Sequence, residues 1–285
     1  MGSDKMRILV VDCSQLCYSS AFALGDLSYD ELPTGVIFGF LLQIFRLASE
    51  FGTREFIFCW DSRKRKREIL YPEYKADRRE KSPFSEEEHL EIRLQMSILR
   101  ERVLPELGFK NSFIVTGLEA DDLIACVVKD FPGSVVVSND SDLYQLLDLC
   151  EMYFPGSKGR FCANDLIAKY GVKPEGWIDV LAIVGTHNNV SGIEGAGTIK
   201  AIQYLKGKLS DGKIKKRIES DEGQAIRKRN LKVITLPLEQ VMLDIQLPDR
   251  FDIDRWLDVF NRYDFRSFTS PEGMKNLKTT FFDRW

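Results

Sequence analysis

Two acidic clusters lie within 24 residues of this chain: Glu119, Asp121 and Asp122 in Gly117-Leu118-Glu119-Ala120-Asp121-Asp122-Leu123, and Asp140 and Asp142 in Ser138-Asn139-Asp140-Ser141-Asp142. Each cluster follows an apolar run, Phe113 to Thr116 and Val135 to Val137. Carboxylates gathered at the edge of a core repel one another unless a cation neutralises them, and hard divalent ions such as Mg2+ or Mn2+ suit all-oxygen ligands. Two further acids occupy equivalent places, Asp12 closing the run from Met6 and Asp61 closing the run from Phe56. A reading without metal also exists for one cluster, because acids at a helix N-terminus are favoured by the helix dipole. Glu119 and Asp121, two residues apart, diverge by about 200° on a helix, so they share an ion only if Glu119 precedes the first regular turn. Glu119 and Asp122, three apart, are the natural pair on one face. Recurrence of acids at four strand ends favours the metal.

The elements that must position these groups follow from periodicity. The runs ending in Asp12, Asp61, Thr116 and Asn139 are rich in β-branched and aromatic residues, as buried parallel strands are. Ligands of open α/β sheets sit outside the carboxyl ends of such strands. Helical spacing predicts helices over 35–51, 89–104, before Pro105, and 121–129, before Pro132. This alternation predicts an α/β core with a central parallel sheet and flanking helices over residues 6–160. Beyond Phe154-Pro155-Gly156 short helices are expected at 163–170, 174–184, 197–205 and about 214–231, with a strand-like run at Val233 to Leu236. Residues 161–285 are expected to be mostly helical.

A chain of 285 residues, 44% hydrophobic and 29% charged, can bury a substantial core. No apolar run approaches the roughly 20 residues of a membrane span and no N-terminal signal pattern is visible, so a cytoplasmic protein without membrane contact is expected. Six cysteines without a C-x-x-C pair predict buried free thiols, and only two histidines leave little room for zinc or triad chemistry. The net charge of -3 conceals segregation of sign.

Asp61 is followed by the basic run Arg63 to Arg67 and then by Tyr71-Pro-Glu-Tyr74-Lys75-Ala-Asp-Arg78-Arg79. Alone, such a run is a solvated face or arm. Beside a metal ligand, Arg67 and its neighbours suit phosphodiester oxygens, and Tyr74 offers a stacking surface to a base. Farther on, Gly192, Gly195 and Gly197 run into a helix with Lys200 close by. Exposed backbone N–H groups there can bind phosphate, although a plain helix–turn–helix connection explains the glycines equally well. Basic residues between Lys206 and Arg229 add a surface able to hold duplex.

Together these stretches resemble the 5′-nuclease superfamily, which comprises flap endonucleases, the 5′→3′ exonuclease domains of bacterial DNA polymerase I and related phage enzymes. The resemblance runs from Met6 to about Leu205 in the family's order. It implies metal-dependent hydrolysis of DNA phosphodiesters near 5′ ends, flaps or junctions, in replication or repair, by a monomer. It further implies a helical arch over residues 80–105 and a helix-two-turn-helix at 185–205 that grips duplex, with K+ a candidate ion at that hairpin. By resemblance Asp12, Asp61 and Glu119 line a first metal position, Asp121 lies between two positions, and Asp140 and Asp142 face the second. Lys75 and Arg78 contact the scissile phosphate, and Tyr74 stacks on an unpaired base.

The departure lies before the hairpin. The family pattern Gly-Asp-x-x-Asp-Asn is replaced by Gly185-Thr186-His187-Asn188-Asn189. Asn188 can offer a neutral oxygen, but two charges are gone, and each is worth on the order of several kcal/mol near an ion. A weak second ion is therefore expected. Two alternatives stay open, a catalytically weak or inactive DNA-binding protein of the same fold and an RNA-directed nuclease of the PIN type, which should lack the glycine hairpin.

Overall fold

The computed structural model describes residues 7–77 and 80–283. The expected strand start at Met6 and the candidate Arg78 lie outside them. The chain divides into two compact units that interleave in sequence. One holds Met1–Asp61, Pro83–Phe113 and Leu243–Trp285, the other Ser62–Ser82 and Ile114–Met242.

The fold is α/β with a six-stranded, mostly parallel sheet. The first unit carries β1 (Leu9–Asp12), β2 (Phe56–Trp60) and β3 (Ser112–Ile114), in the order β3-β2-β1. The second carries β4 (Ser134–Val137), β5 (Cys150–Phe154) and β6 (Gly159–Phe161), in that order. β1 and β2 are parallel, with Leu9 opposite Phe56 and Asp12 opposite Cys59. β4 and β5 are also parallel, Ser134 facing Cys150 and Val137 facing Tyr153. β6 runs antiparallel to β5, and neither was evident from periodicity. All residues of β2 and β4 are buried. Covering both faces explains why these runs are continuously apolar instead of alternating.

In the first unit, α2 (Gly35–Phe51) matches the expected helix and buries Ile37, Phe40, Leu41, Ile44, Phe45 and Ala48 as one stripe, whereas α1 (Cys13–Leu24) was not among the expected helices. A helix at Glu86–Ile98 opens with a capping box, Ser85 Oγ accepting from Glu88 N–H and Glu88 accepting from Ser85 N–H. Its buried face carries His89, Ile92 and Gln95. Gln95 Oε1 accepts the N–H groups of Val36 and Ile37 at 2.9 and 3.3 Å. These donors lack intrahelical partners in the first turn of α2, so the glutamine caps that helix from outside. Part of the segment expected as an arch is thus docked on α2. The helix does not stop before Pro105. A π-helical turn, Leu99–Val103, lets Leu104 N–H reach back to Leu99 O and carries the chain past the proline ring.

The last forty described residues complete the core of the first unit. The helix Ile253–Arg262 brings Trp256 against Phe45 of α2, ring centroids 5.2 Å apart, and Trp256 Nε1–H donates to Leu107 O at 2.6 Å. Phe281 lies 4.9 Å from Trp256, and Phe260 and Phe268 close on Phe45. Such pairs contribute about 0.5–1.5 kcal/mol each beyond area burial.

In the second unit, α3 (Ala120–Asp130) follows Glu119 directly, and α4 (Pro174–Val184) and α5 (Thr198–Leu205) lie close to their expected bounds, whereas the helix expected at about 214–231 is two, Lys213–Glu219 and α6 (Asp221–Ile234), parted at Ser220, which caps both. The run from Val233 is not a strand. Val233 and Ile234 form the last, buried turn of α6, where packing overrides β propensity. Fully buried Asn230 ties α6 to Ala182 O of α4 and to Ser191 O, both at 3.0 Å. No helix among the described residues is long and apolar enough to cross a membrane. Among the described cysteines, five are buried and all six are free thiols.

One buried acid of the first unit makes stability depend on pH. Asp249 Oδ1 accepts from Lys110 N–H at 3.0 Å and Asn111 Nδ2 at 3.3 Å, while Oδ2 is buried and accepts nothing. Burial, reinforced by the charge of Glu55, pushes Asp249 up to about 7. The folded state therefore holds a proton that the unfolded chain releases near pH 4, and stability from this group falls as pH climbs from about 4 through 7. Asp249→Asn keeps the accepting oxygen and removes the titration. Its melting temperature relative to wild type should be higher at pH 8 than at pH 5, by an increment worth up to about 3 kcal/mol; an equal difference at both pH values would show that Asp249 is not the buried titrating group.

Candidate active site

In the first unit, the register of β1 and β2 brings Asp12 and Asp61 to the same end of adjacent strands. Asp12 is also the N-cap of α1, Oδ1 accepting from Gln15 N–H at 3.2 Å. The Cys13 thiol is pushed up by burial first, then by Cys17 and Cys59, then by Asp12 and Asp61. Both carboxylates therefore act on the Cys13 thiol.

The second unit holds the other candidates. Its basic segment is fastened to the Gly117-Leu118-Glu119 turn by backbone bonds, Lys66 N–H to Gly117 O at 2.9 Å and Ser62 N–H to Leu118 O at 3.1 Å. Gly117 has φ +92°, and a β-carbon there would stand 2.9 Å from the Lys66 side chain. Glycine is needed on both counts.

From this turn Glu119 projects into a cradle of donors. Lys75 Nζ lies 2.7 Å from Oε1, Tyr74 OH donates to Oε2 at 2.8 Å, and Arg67 Nη1 lies 3.3 Å from Oε2. Arg65 Nε is 3.4 Å from Oε1. Only 1% of Glu119 is exposed.

Arg67 and Asp122 stand behind it as a bidentate pair, Nη1 to Oδ2 at 2.6 Å and Nη2 to Oδ1 at 2.7 Å. Asp122 also accepts from Glu119 N–H at 3.0 Å and Leu238 N–H at 2.7 Å, and Arg67 Nε–H donates to Val233 O at 2.7 Å. Burial alone would lower the arginine, but the hydrogen bond and charge of Asp122 raise it above its ordinary range.

This arrangement corrects three expectations. Asp122, fully buried and surrounded by four donors, has no face open to an ion. Arg67 is 3% exposed, its fork committed to Asp122 and Glu119, so it offers nothing to a phosphate. Tyr74 is 5% exposed with its hydroxyl on Glu119, and burial followed by Glu119 pushes the phenol up, so it stays a donor instead of a stacking platform. Asp121, half-buried on α3, adds its charge to the field on Tyr74.

Lys75 has φ +54°, a conformation held by its N–H bonding Asn188 O at 2.9 Å and by Asn189 Nδ2 donating to Glu73 O at 2.7 Å. Asn188 and Asn189, within the segment that stands where the aspartates were expected, thus clamp the turn that carries the lysine. Asp140 caps the 3-10 turn Ser141–Leu146, its Oδ1 accepting from Asp142 N–H at 2.8 Å. Asp142 is buried and pushed up to about 7 by burial and then by Asp140, with Lys75, Asn188 and Arg67 opposing. Asn188 turns its amide nitrogen, not the expected oxygen, toward Asp142 Oδ2 at 3.3 Å. His187 Nε2 lies 3.7 Å from Asp140 Oδ2. Ligand atoms of Asp140, Asp142 and His187 all fall within 4.8 Å of one another, which suits one divalent ion. Sequence reasoning passed over His187, although it stands inside the segment where acids were missing.

At the hairpin, a β-carbon on Gly192 would fall 2.0 Å from Val184 O, so this glycine serves close backbone packing. Gly195 has φ +79°, Gly197 is the N-cap of α5 with open space beside it, and Lys200 Nζ reaches Gly195 O at 3.5 Å. Lys206, Lys208, Lys213, Lys216 and Lys228 are exposed beyond it.

Comparison with known proteins agrees with this geometry. Residues 7–171 match the family described as 5′-3′ exonuclease, N-terminal resolvase-like domain. A 5′-3′ exonuclease of Aquifex aeolicus is 34% identical over 207 residues, covering 70% of this chain and 68% of that protein. A thermostable DNA polymerase I of Thermus thermophilus is 30% identical over 261 residues, covering 87% of this chain but only 30% of that protein. In fold, a bacteriophage T5 flap endonuclease in a complex with DNA and metal ions aligns with a TM-score of 0.65 at 23% identity, covering 81% of this chain and 89% of that one.

The buried pair gives a direct test of the cradle. Arg67→Ala and Asp122→Ala should each cost about 3–5 kcal/mol, because each leaves a buried charge unpaired. The double variant should cost less than the sum. Urea denaturation of all four proteins measures this, and additive losses would show that the two side chains act independently.

Proposed function

The chain belongs to the 5′-3′ exonuclease family and is a structure-specific 5′-nuclease, a phosphodiester hydrolase, and we propose that it acts on DNA with a 5′ end or 5′ flap beside duplex. The observation that carries this reading is the Lys75 ammonium 2.7 Å from Glu119, close enough to Asp142 to oppose its upward shift. A fixed cation among carboxylates suits a phosphodiester that gains charge as it is attacked. Divalent metal is the proposed cofactor, Mg2+ or Mn2+ the proposed ion, with Asp12 and Asp61 the proposed carboxylates of the first unit and Asp121, Asp140 and Asp142 those of the second; Glu119 would join the latter on release from Lys75 and Arg65, which hold its Oε1 in this structure. When bound, such an ion supplies a water of lowered pKa and Lewis-acid charge.

The chain's own groups do the rest. The left-handed turn at Lys75, clamped by Asn188 and Asn189, holds the ammonium on Glu119, and a non-bridging phosphate oxygen would draw it from there on binding. Tyr74 and Arg67 hold Glu119 in one orientation, so no carboxylate rotation is needed as substrate arrives. The exposed lysines from Lys200 to Lys228 bind duplex phosphates in a salt-dependent way. Arg78 belongs to the same proposal as a second phosphate contact. The chain acts as a monomer in this reading.

Lys75→Ala should slow single-turnover cleavage of a 5′-flap DNA by about 10²–10³-fold. Its flap affinity, read in Ca2+ by anisotropy, should stay within about threefold of wild type, because many phosphate contacts share the binding. Cleavage by wild type should require Mg2+ or Mn2+ and stop on adding EDTA. Parallel RNA and RNA–DNA hybrid substrates decide the polymer, faster cleavage of either overturning the DNA assignment. Undiminished cleavage by the variant would remove Lys75 from the chemistry.

A further inference from the structure

We propose that His187 is a direct metal ligand, completing with Asp140 and Asp142 a site that takes Co2+ or Zn2+, and to a lesser degree Mn2+, in preference to Mg2+. The inference rests on the reading of Asp140 and Asp142 as metal-facing groups and goes beyond it by naming a nitrogen donor.

Geometry supports the ligation. Two donor atoms about 2.1 Å from one ion and about 120° apart lie about 3.6 Å from each other. His187 Nε2 and Asp140 Oδ2 stand 3.7 Å apart, too far for a hydrogen bond and well placed for a shared ion. The two acids are already aimed, Asp140 by the Asp142 N–H on its Oδ1 and Asp142 by Asn188 Nδ2 on its Oδ2. The histidine is positioned by its neighbours, Thr186 pairing with Val190 across a short antiparallel ladder and Asn188 N–H bonding Thr186 Oγ1 at 3.2 Å. Its side chain is 64% exposed, leaving the ring free to settle on an ion.

Chemistry supports the selectivity. Mg2+ prefers oxygen ligands and gives up water reluctantly, whereas imidazole suits the later divalent ions. Replacing carboxylates by one neutral nitrogen removes charge that a hard ion depends on. The same replacement keeps a strong bond for Co2+ or Zn2+ and a weaker one for Mn2+. The loss of acids before the hairpin is then a change of ion preference at this position rather than a simple weakening.

Isothermal titration of the full chain with Mn2+ and Mg2+, together with pulsed electron paramagnetic resonance of bound Mn2+, tests this without any turnover. Wild type should show nitrogen modulation from a coordinated imidazole. His187→Ala should abolish that signal and weaken Mn2+ binding about tenfold or more while changing Mg2+ binding less than about twofold. His187→Asp should raise Mg2+ affinity. Asp12→Ala should leave the nitrogen signal in place. Nitrogen modulation absent from wild type, or an equal loss of both ions in His187→Ala, would overturn the assignment. Because cleavage is measured separately on flap substrates, failure here leaves the nuclease reading standing, and failure there leaves this one standing.

Discussion

The arrangement of the second unit depends on one interaction, the bidentate pair of Arg67 with Asp122. A guanidinium and a carboxylate taken fully out of water are tolerated only when their remaining hydrogen-bonding positions are filled. Here Val233 O, Glu119 and the N–H groups of Glu119 and Leu238 fill them. The requirement reaches across the unit, because those partners belong to the turn before α3, the end of α6 and the segment after it. A buried ion pair of this kind adds little net stability over apolar packing, and its value lies in fixing one geometry.

That geometry separates the acids by environment. Glu119 faces Lys75, Arg65 and Arg67 together with a phenol. Asp140 and Asp142 face each other, an imidazole and a neutral amide, with Lys75 acting on Asp142 from a greater distance. The first setting is rich in positive charge and rigid. The second carries the repulsion of paired acids and is closed by an exposed ring. Lys75 is common to both, which makes its left-handed backbone a point where the two settings communicate.

Much of the fold was legible because local pattern and tertiary role coincide. The strands ending in Asp12 and Asp61 and the stripe of α2 are apolar where they are buried. What periodicity could not supply was direction within a polar run. Of the five basic residues from Arg63 to Arg67, the last turns inward because the short helix Lys66–Leu70 sets its face toward Asp122. Nothing in the run itself distinguishes it. Tyr74 was taken for a surface aromatic on the same ground, and its partner lies 45 residues away. His187 was discounted through a count of histidines, while its significance depends on a two-strand ladder that only the folded chain displays. The aromatic residues after Phe251 have partners near residues 45 and 107, separations that leave no local trace.

The interleaving of the units sets an order of events during synthesis. Residues up to Met242 emerge before the chain has supplied Trp256, Phe260, Phe268 and Phe281, so the second unit has all its residues while the first still lacks the rings that cover Phe45 and Phe109. Until Phe281 leaves the ribosome, α2 lacks part of the cover over Phe45, and exposed apolar surface invites association with other chains. The nascent chain is therefore most vulnerable at a stage when all residues of the second unit are present, and truncation before Trp256 would leave Phe45 without the rings that cover it.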